Sequence, residues 1–156
     1  MKLAGDRTVG RLVKWLRILG IPCDLIAIKN KDQIPEGVFL LTRASSLASE
    51  KSLVLPYEKP ADQLRFVLQE FPFLWKELRP FSLCLLCNRR LEKVPKEEVF
   101  GLVPDHVYKT QKKFRRCPSC GRLYWPGSHQ VLMKRRLEEI LGRSLTVDQD
   151  GSEGKS

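Results

Sequence analysis

Residues 1–28 read MKLAGDRTVGRLVKWLRILGIPCDLIAI, and this stretch decides the fold class. Met1 to Gly5 is a short apolar run of strand length, with Asp6 at its end. From Gly10 to Leu19 the period becomes helical. Leu12, Val13, Leu16 and Leu19 share one face, while Arg11, Lys14 and Arg17 fall elsewhere. Gly20 is a stop signal. Pro22 opens a second strand that runs through Asp24 to Ile28. A strand, a helix and a second strand in this order imply an α/β layer with a mostly parallel sheet.

The pattern continues outward. Lys29 to Gly37 is polar and reads as a loop; Val38 to Thr42 is a buried strand. Ser52 to Leu55 is a fourth strand, closed by Pro56. Ala61 to Phe71 has helical spacing through Leu64, Val67, Leu68 and Phe71, and Pro60 suits its start. This first domain is expected over residues 1–78. From Pro80 the texture changes to short β-prone runs and turn residues. The runs are Val99-Phe100, Val107-Tyr108 and Leu123-Tyr124-Trp125. Ser128 reads as the N-cap of a final helix, Gln130 to Leu141, which Gly142 stops. The second domain is expected over 79–142. Residues 143–156 are polar and aperiodic, a tail expected to be disordered.

Four of the five cysteines lie in the second segment, as Cys84-Leu85-Leu86-Cys87 and Cys117-Pro118-Ser119-Cys120. Two residues between thiols let both point inward on a tight turn, and two such turns give the tetrahedral thiolate set that suits zinc. Gly121 follows the second knuckle and Asn88 the first, the two residue types that best tolerate a left-handed backbone. Disulfides are the competing reading, but they need an oxidising compartment. A redox motif is another, against which the pairing of two knuckles argues. The structural site therefore takes Cys84, Cys87, Cys117 and Cys120 as ligands of Zn²⁺, with no open position for chemistry. The 29 residues between the knuckles exceed the common spacing of about 15–20, so the ribbon carries an insert. Cys23, in an apolar stretch, reads as a small core residue.

The chain of 156 residues carries 28 Lys and Arg against 18 Asp and Glu, a formal charge of +10. Residues 79–142 hold 14 basic and 6 acidic side chains, so the excess sits with the knuckles. A surface of this sign attracts polyanions, nucleic acid first and anionic membrane second. No apolar run reaches the roughly 18 residues of a membrane span, and the start lacks the parts of a secretory signal. A cytoplasmic protein is expected. There is no Gly-rich phosphate loop, no Gly-x-Ser-x-Gly elbow and no His-Glu-x-x-His pair.

Three sets of residues together resemble a known family. They are Asp6-Arg7-x-x-Gly10-Arg11-Leu12-x-x-Trp15-Leu16-Arg17-x-Leu19-Gly20, then Leu41-Thr42-Arg43, then Cys84-x-x-Cys87-Asn88 with Cys117-x-x-Cys120-Gly121 and Tyr124-Trp125-x-Gly127-Ser128-His129. The chain is similar over about residues 1–141 to the Mut-seven C-terminal RNase domain family. The resemblance implies a PIN-like nuclease fold followed by a zinc ribbon, and an RNase-like, RNA-binding role. PIN-like nucleases cluster carboxylates at the ends of parallel strands to hold Mg²⁺ or Mn²⁺, which activates water and stabilises phosphorane charge. Asp6 matches the first acid. The family usually continues Thr-Arg with Asp, where this chain has Ala44. Asp62 lies near a later acidic position, and Asp32 or Glu36 matches a middle one only loosely. The catalytic candidates are thus Asp6 and Asp62. Without the resemblance Asp6 reads as a helix N-cap.

The phosphate-binding candidates are Arg7 and Arg11 beside Asp6, Arg43 at the central strand end, Lys112, Lys113, Arg115 and Arg116 beside the second knuckle, and His129 at a helix start. Lys134-Arg135-Arg136 reads as a solvated helix face, because Glu138 and Glu139 stand four residues on. Phe114, Tyr124 and Trp125 are candidates for stacking on bases or for the ribbon core. Three functions follow: an RNase that binds RNA and cleaves it with divalent metal, a non-catalytic RNA-binding module with a degenerate site, and a protein-interaction adaptor whose partner the sequence does not name. Ala44 speaks against the first, and the basic ribbon against the third.

Overall fold

Residues 2–5 form the strand around which the first unit is assembled. In the computed structural model, which describes residues 1–147, β1 (Lys2–Gly5) pairs in parallel with β2 (Cys23–Leu25) on one side and β3 (Val38–Thr42) on the other. β4 (Ser52–Val54) adds to β3, also parallel, so the order is β2-β1-β3-β4. α1 (Gly10–Ile18) and α2 (Pro60–Glu70) pack against each other. This unit spans Met1–Leu78, and a second begins at Arg79.

The expected helical face is the buried one. Leu12, Leu16 and Leu19 are fully enclosed, as are Leu40 and Leu41 of β3 and Leu64 of α2. Each such leucine contributes about 1.5–3 kcal/mol by leaving water. Gly5 lets α1 approach the sheet. A Cβ there would lie 2.5 Å from Val13 Cγ2 and 3.0 Å from Val9 Cγ2. Gly20, at φ +86°, ends the helix as the sequence suggests.

Two elements differ from expectation. β2 stops at Leu25, because Ile26 and Ile28 instead join an apolar cluster with Ile34, Leu40 and Leu47. The polar Lys29–Gly37 segment is built rather than featureless. The Asn30 side chain accepts a hydrogen bond from Asp32 N, capping a short turn over Lys31–Gln33, and Ile34 behind it is buried.

The second unit contains a three-stranded antiparallel sheet in the order β5-β6-β7: Glu92–Val94, Phe114–Arg116 and Leu123–Tyr124. β5 and β6 lie at the two ends of the long insert. The insert itself corrects the sequence reading. Val99-Phe100 closes a helical turn over Lys96–Val99, and Val107-Tyr108 lies in α3 (Asp105–Thr110). Val99, Val103 and Val107 recur every fourth residue and are all buried with Val94 and Phe114. They lie on a helical turn, a bend and α3 in succession, and their joint burial outweighs the β-branched preference for strands. Pro95 and Pro104 each precede a helical turn.

α4 runs Ser128–Leu141, and its N-cap is Gly127 rather than Ser128, whose side chain makes no cap bond. Gly142 ends it at φ +69°. The start of the expected tail is anchored. Leu145 is buried, and its N–H donates to Glu138 Oε2 at 2.8 Å, where Lys134 Nζ also donates at 2.9 Å. The Leu145 N–H, then Lys134, hold the Glu138 carboxyl below its usual range. The rest of the expected disordered tail, residues 148–156, lies outside the described residues. Among the described residues no helix is long and apolar enough to cross a membrane.

Candidate metal centre and carboxylate site

The two knuckles repeat one backbone pattern. Cys84 N–H donates to Arg89 O and Asn88 N–H to Cys84 O; Cys117 N–H donates to Arg122 O and Gly121 N–H to Cys117 O. Each turn needs a left-handed residue after its second cysteine. Asn88 supplies it at φ +58° and Gly121 at φ +78°. Amide groups also face the sulfur: Ser119 N–H and Cys120 N–H point at Cys117 Sγ at 3.4 and 3.5 Å.

The four Sγ atoms lie within 4.8 Å of one another. Cys84 Sγ and Cys120 Sγ are 3.7 Å apart, close to the edge of about 3.8 Å that a tetrahedron with zinc–sulfur bonds of about 2.3 Å would have. The set therefore fits a metal ion such as zinc. Burial raises the Cys84 thiol, but hydrogen bonds from Tyr124 Oη and from the Cys87 and Leu86 backbone outweigh it and bring it down to about 6. A sulfur so placed is a ready thiolate ligand.

Sequence reasoning missed the role of the Tyr124 hydroxyl. Tyr124 Oη donates to Cys84 Sγ at 3.3 Å and accepts from Leu85 N–H at 3.1 Å. Burial, then the bond to Cys84, raises the phenol above its usual range, so it remains a donor. Outer hydrogen bonds of this kind orient metal ligands. Tyr124→Phe is expected to weaken zinc binding about 10-fold, the lower end of such effects. Competition with a chromophoric chelator measures it, and an unchanged zinc affinity would contradict the role.

Asp6 and Arg43 directly follow the carboxyl ends of β1 and β3. Neighbouring parallel strands there form the crevice where α/β folds bind ligands. Asp6 is 6% exposed, and both of its carboxylate oxygens accept hydrogen bonds. Oδ2 accepts from Thr42 Oγ1 at 2.6 Å, and Oδ1 from Thr8 N at 2.9 Å and from Thr8 Oγ1. The chain of bonds continues as Arg43 N–H donates to Thr8 Oγ1 at 2.9 Å and Ala44 N–H to Thr42 Oγ1 at 3.0 Å. Asp6 thus caps a short turn over Arg7–Val9 that precedes α1, rather than α1 itself. Nothing in the sequence singled out Thr8.

The remaining acids stand apart from such a site. Asp62 opens α2, and its Oδ1 accepts from Arg65 Nη1 at 2.8 Å. Glu36 is exposed and 3.7 Å from Lys51 Nζ, and Asp32 is exposed. Among the described residues the four cysteines are the one group of three or more Cys, His, Asp or Glu gathered at metal-binding distance, and Asp6 and Asp62 belong to no such group. The side chain of Ala44 packs against the Ile34, Leu40 and Leu47 cluster.

Of the cationic candidates, Arg7, Arg11 and Arg43 are exposed, and the bond from Arg43 N to Thr8 ties two of their backbone segments together. Lys112 and Lys113 are exposed, and Arg116 Nη2 is 3.5 Å from Glu98 Oε1. His129 is exposed in the first turn of α4. Phe114 is core, while Tyr124 and Trp125 are half-buried. Lys134 pairs with Glu138 as the spacing suggests.

Compared with known families, residues 1–137 match the one described as the Mut7-C RNAse domain. No curated protein and no solved structure matches the chain.

Proposed function

This chain belongs to the Mut7-C RNAse domain family, and from that premise we propose that it is a zinc-stabilised RNA-binding protein whose carboxylate site no longer supports metal-dependent cleavage. One observation carries the non-catalytic half. Where the family resemblance calls for an aspartate, the methyl of Ala44 packs on an apolar cluster, leaving Asp6 as a single carboxylate already accepting three hydrogen bonds. Mg²⁺ and Mn²⁺ take several oxygen ligands, commonly one or two carboxylates plus substrate phosphate, and one engaged carboxylate is a poor start. In this reading Asp6 is a structural hub that joins the ends of β1 and β3.

The RNA-binding half is supported by the charge of the segment 79–142 and by the cations beside the second knuckle. Cations on a rigid frame bind phosphate and release counterions. If Lys112, Lys113, Arg115 and Arg116 each neutralise one phosphate of a single strand, affinity falls about 50-fold between 50 and 200 mM salt. Fluorescence anisotropy with a labelled RNA measures it. A binding curve indifferent to salt would sink the electrostatic reading.

The family's own activity favours a second reading, in which Asp6 holds a divalent ion, Asp62 or Glu36 assists, and Arg7, Arg11 and Arg43 position the scissile phosphate. Incubating single-stranded and structured RNA with the protein and Mg²⁺ or Mn²⁺ separates the two. We expect binding without cleavage. Metal-dependent cleavage that Asp6→Ala abolishes would overturn the non-catalytic reading and install the second.

A further inference from the structure

We propose that a groove on the zinc-ribbon unit is a subsite for one unpaired nucleotide, its base lying against aromatic side chains and its phosphate held by Lys113 and Arg115. The inference rests on the RNA-binding reading above and assigns it a place. The groove is lined by Phe81, Lys113, Arg115, Tyr124, Trp125 and Gln130, among others. It is partly open to solvent, so a strand lying across it can reach the lining residues.

Sheet geometry brings Arg115 and Tyr124 of this lining together, while Trp125 follows the last strand and packs on Phe114. Side chains alternate across a strand. Phe114 points into the ribbon core, so its neighbours Lys113 and Arg115 emerge on the opposite face. Arg115 stands directly across from Tyr124 in the β6–β7 register. Cation and aromatic ring are therefore set side by side by the backbone. The Tyr124 hydroxyl is held by Cys84 and Leu85, which fixes the ring in place.

Two further observations point to the same place. The Trp125 indole occupies the space beside Gly127. A Cβ on Gly127 would lie 3.1 Å from Trp125 Nε1 and 3.2 Å from Cδ1. Glycine at this position lets the ring sit at the groove. Phe81, on the lining, has φ +63°. A bulky residue in the left-handed region is strained, and such strain gathers at ligand clamps. A flat π-face with cations beside it and an amide in reach is the chemistry that holds an unpaired base, and a duplex keeps its base faces hidden.

Anisotropy with three labelled probes tests the assignment: a single-stranded oligouridylate, a duplex RNA, and an abasic ribose-phosphate strand of the same length. Wild-type protein should bind the oligouridylate more tightly than the abasic strand. Trp125→Ala should weaken oligouridylate binding about 10-fold, within the range for a lost base stack, and leave the abasic strand unchanged. Trp125 also packs on the ribbon core, so Lys113→Glu, at an exposed position, is the companion variant. It should weaken both single-stranded probes. RNA binding by the wild type that neither substitution alters would remove this groove and leave the RNA-binding reading standing. No binding of any probe by the wild type would remove both. Equal affinity for oligouridylate and abasic strands would overturn the base subsite alone.

Discussion

Cys117→Ser is expected to abolish stoichiometric zinc binding and unfold the ribbon, while the α/β unit keeps its own melting transition. Cys117 is buried, and its sulfur faces two amide N–H groups as well as the other three thiols. Three cysteines leave a coordination position open, and a serine hydroxyl is a poor substitute for thiolate. The loss is large because structural zinc supplies about 10–16 kcal/mol of apparent binding energy in comparable small domains. The apolar cluster that the ribbon strands share with the insert is thin, four valines and one phenylalanine with Tyr108, Leu123 and Trp125 packed on it. Zinc content by atomic absorption, with thermal unfolding followed by circular dichroism, measures both effects. Prolonged chelation should reproduce them in the wild type. Cys23→Ala is the contrasting variant. Cys23 is fully buried in the first unit, and burial pushes its thiol up to about 12, so it stays protonated and far from ligand chemistry. Zinc content should not change. A ribbon that melts normally with Cys117 replaced would show that the metal does not hold it.

Gly5→Ala is the second substitution with a large expected effect, about 1–3 kcal/mol of lost stability, the usual cost of overpacking. The added methyl meets Val13 Cγ2 at 2.5 Å and Val9 Cγ2 at 3.0 Å. Neither can turn aside easily. Val13 lies in a helix, where a valine has essentially one χ1 well, and both Val13 and Val9 are buried. The helix must lift from the strand instead, and the residue after Gly5 is Asp6. Removing the obstruction should restore most of the loss. Gly5→Ala combined with Val13→Ala should be markedly less destabilised than the sum of the single variants. Urea unfolding of the four proteins closes the cycle. Simple additivity would mean that the close approach is not what costs energy.

The α/β unit was legible because its signals are local and agree. The Leu12, Leu16 and Leu19 face, Gly20, Pro60 and the Val38–Thr42 run each point to the element that forms. The knuckles were legible down to Asn88 and Gly121, whose left-handed conformations the residue types anticipate. The insert was misread where two patterns compete. Val107-Tyr108 has strand propensity, but it forms a short helix whose Val107 is buried with Val94, Val99, Val103 and Phe114, and burial wins. The carboxylate site was legible only in part. Asp6 at the end of the first strand could be read off a line of sequence. That Asp6 is bound by Thr42, 36 residues away, could not, because only the β1–β3 register brings them together. The same holds for Tyr124 and Cys84.

The division of the chain at Leu78 bears on how the protein is made. A ribosome releases the strands and helices of the α/β unit first, and by Leu78 every partner in its sheet has been synthesised. That unit can fold while the rest is still being translated, as domains commonly do. The ribbon has no such option. Its first knuckle emerges with two thiols and must wait for 29 further residues before Cys117 arrives, and β5 waits equally for β6. In that interval Cys84 and Cys87 form an incomplete thiol pair. A released chain truncated between Asn88 and Arg116 should therefore have a folded first half and an oxidisable second.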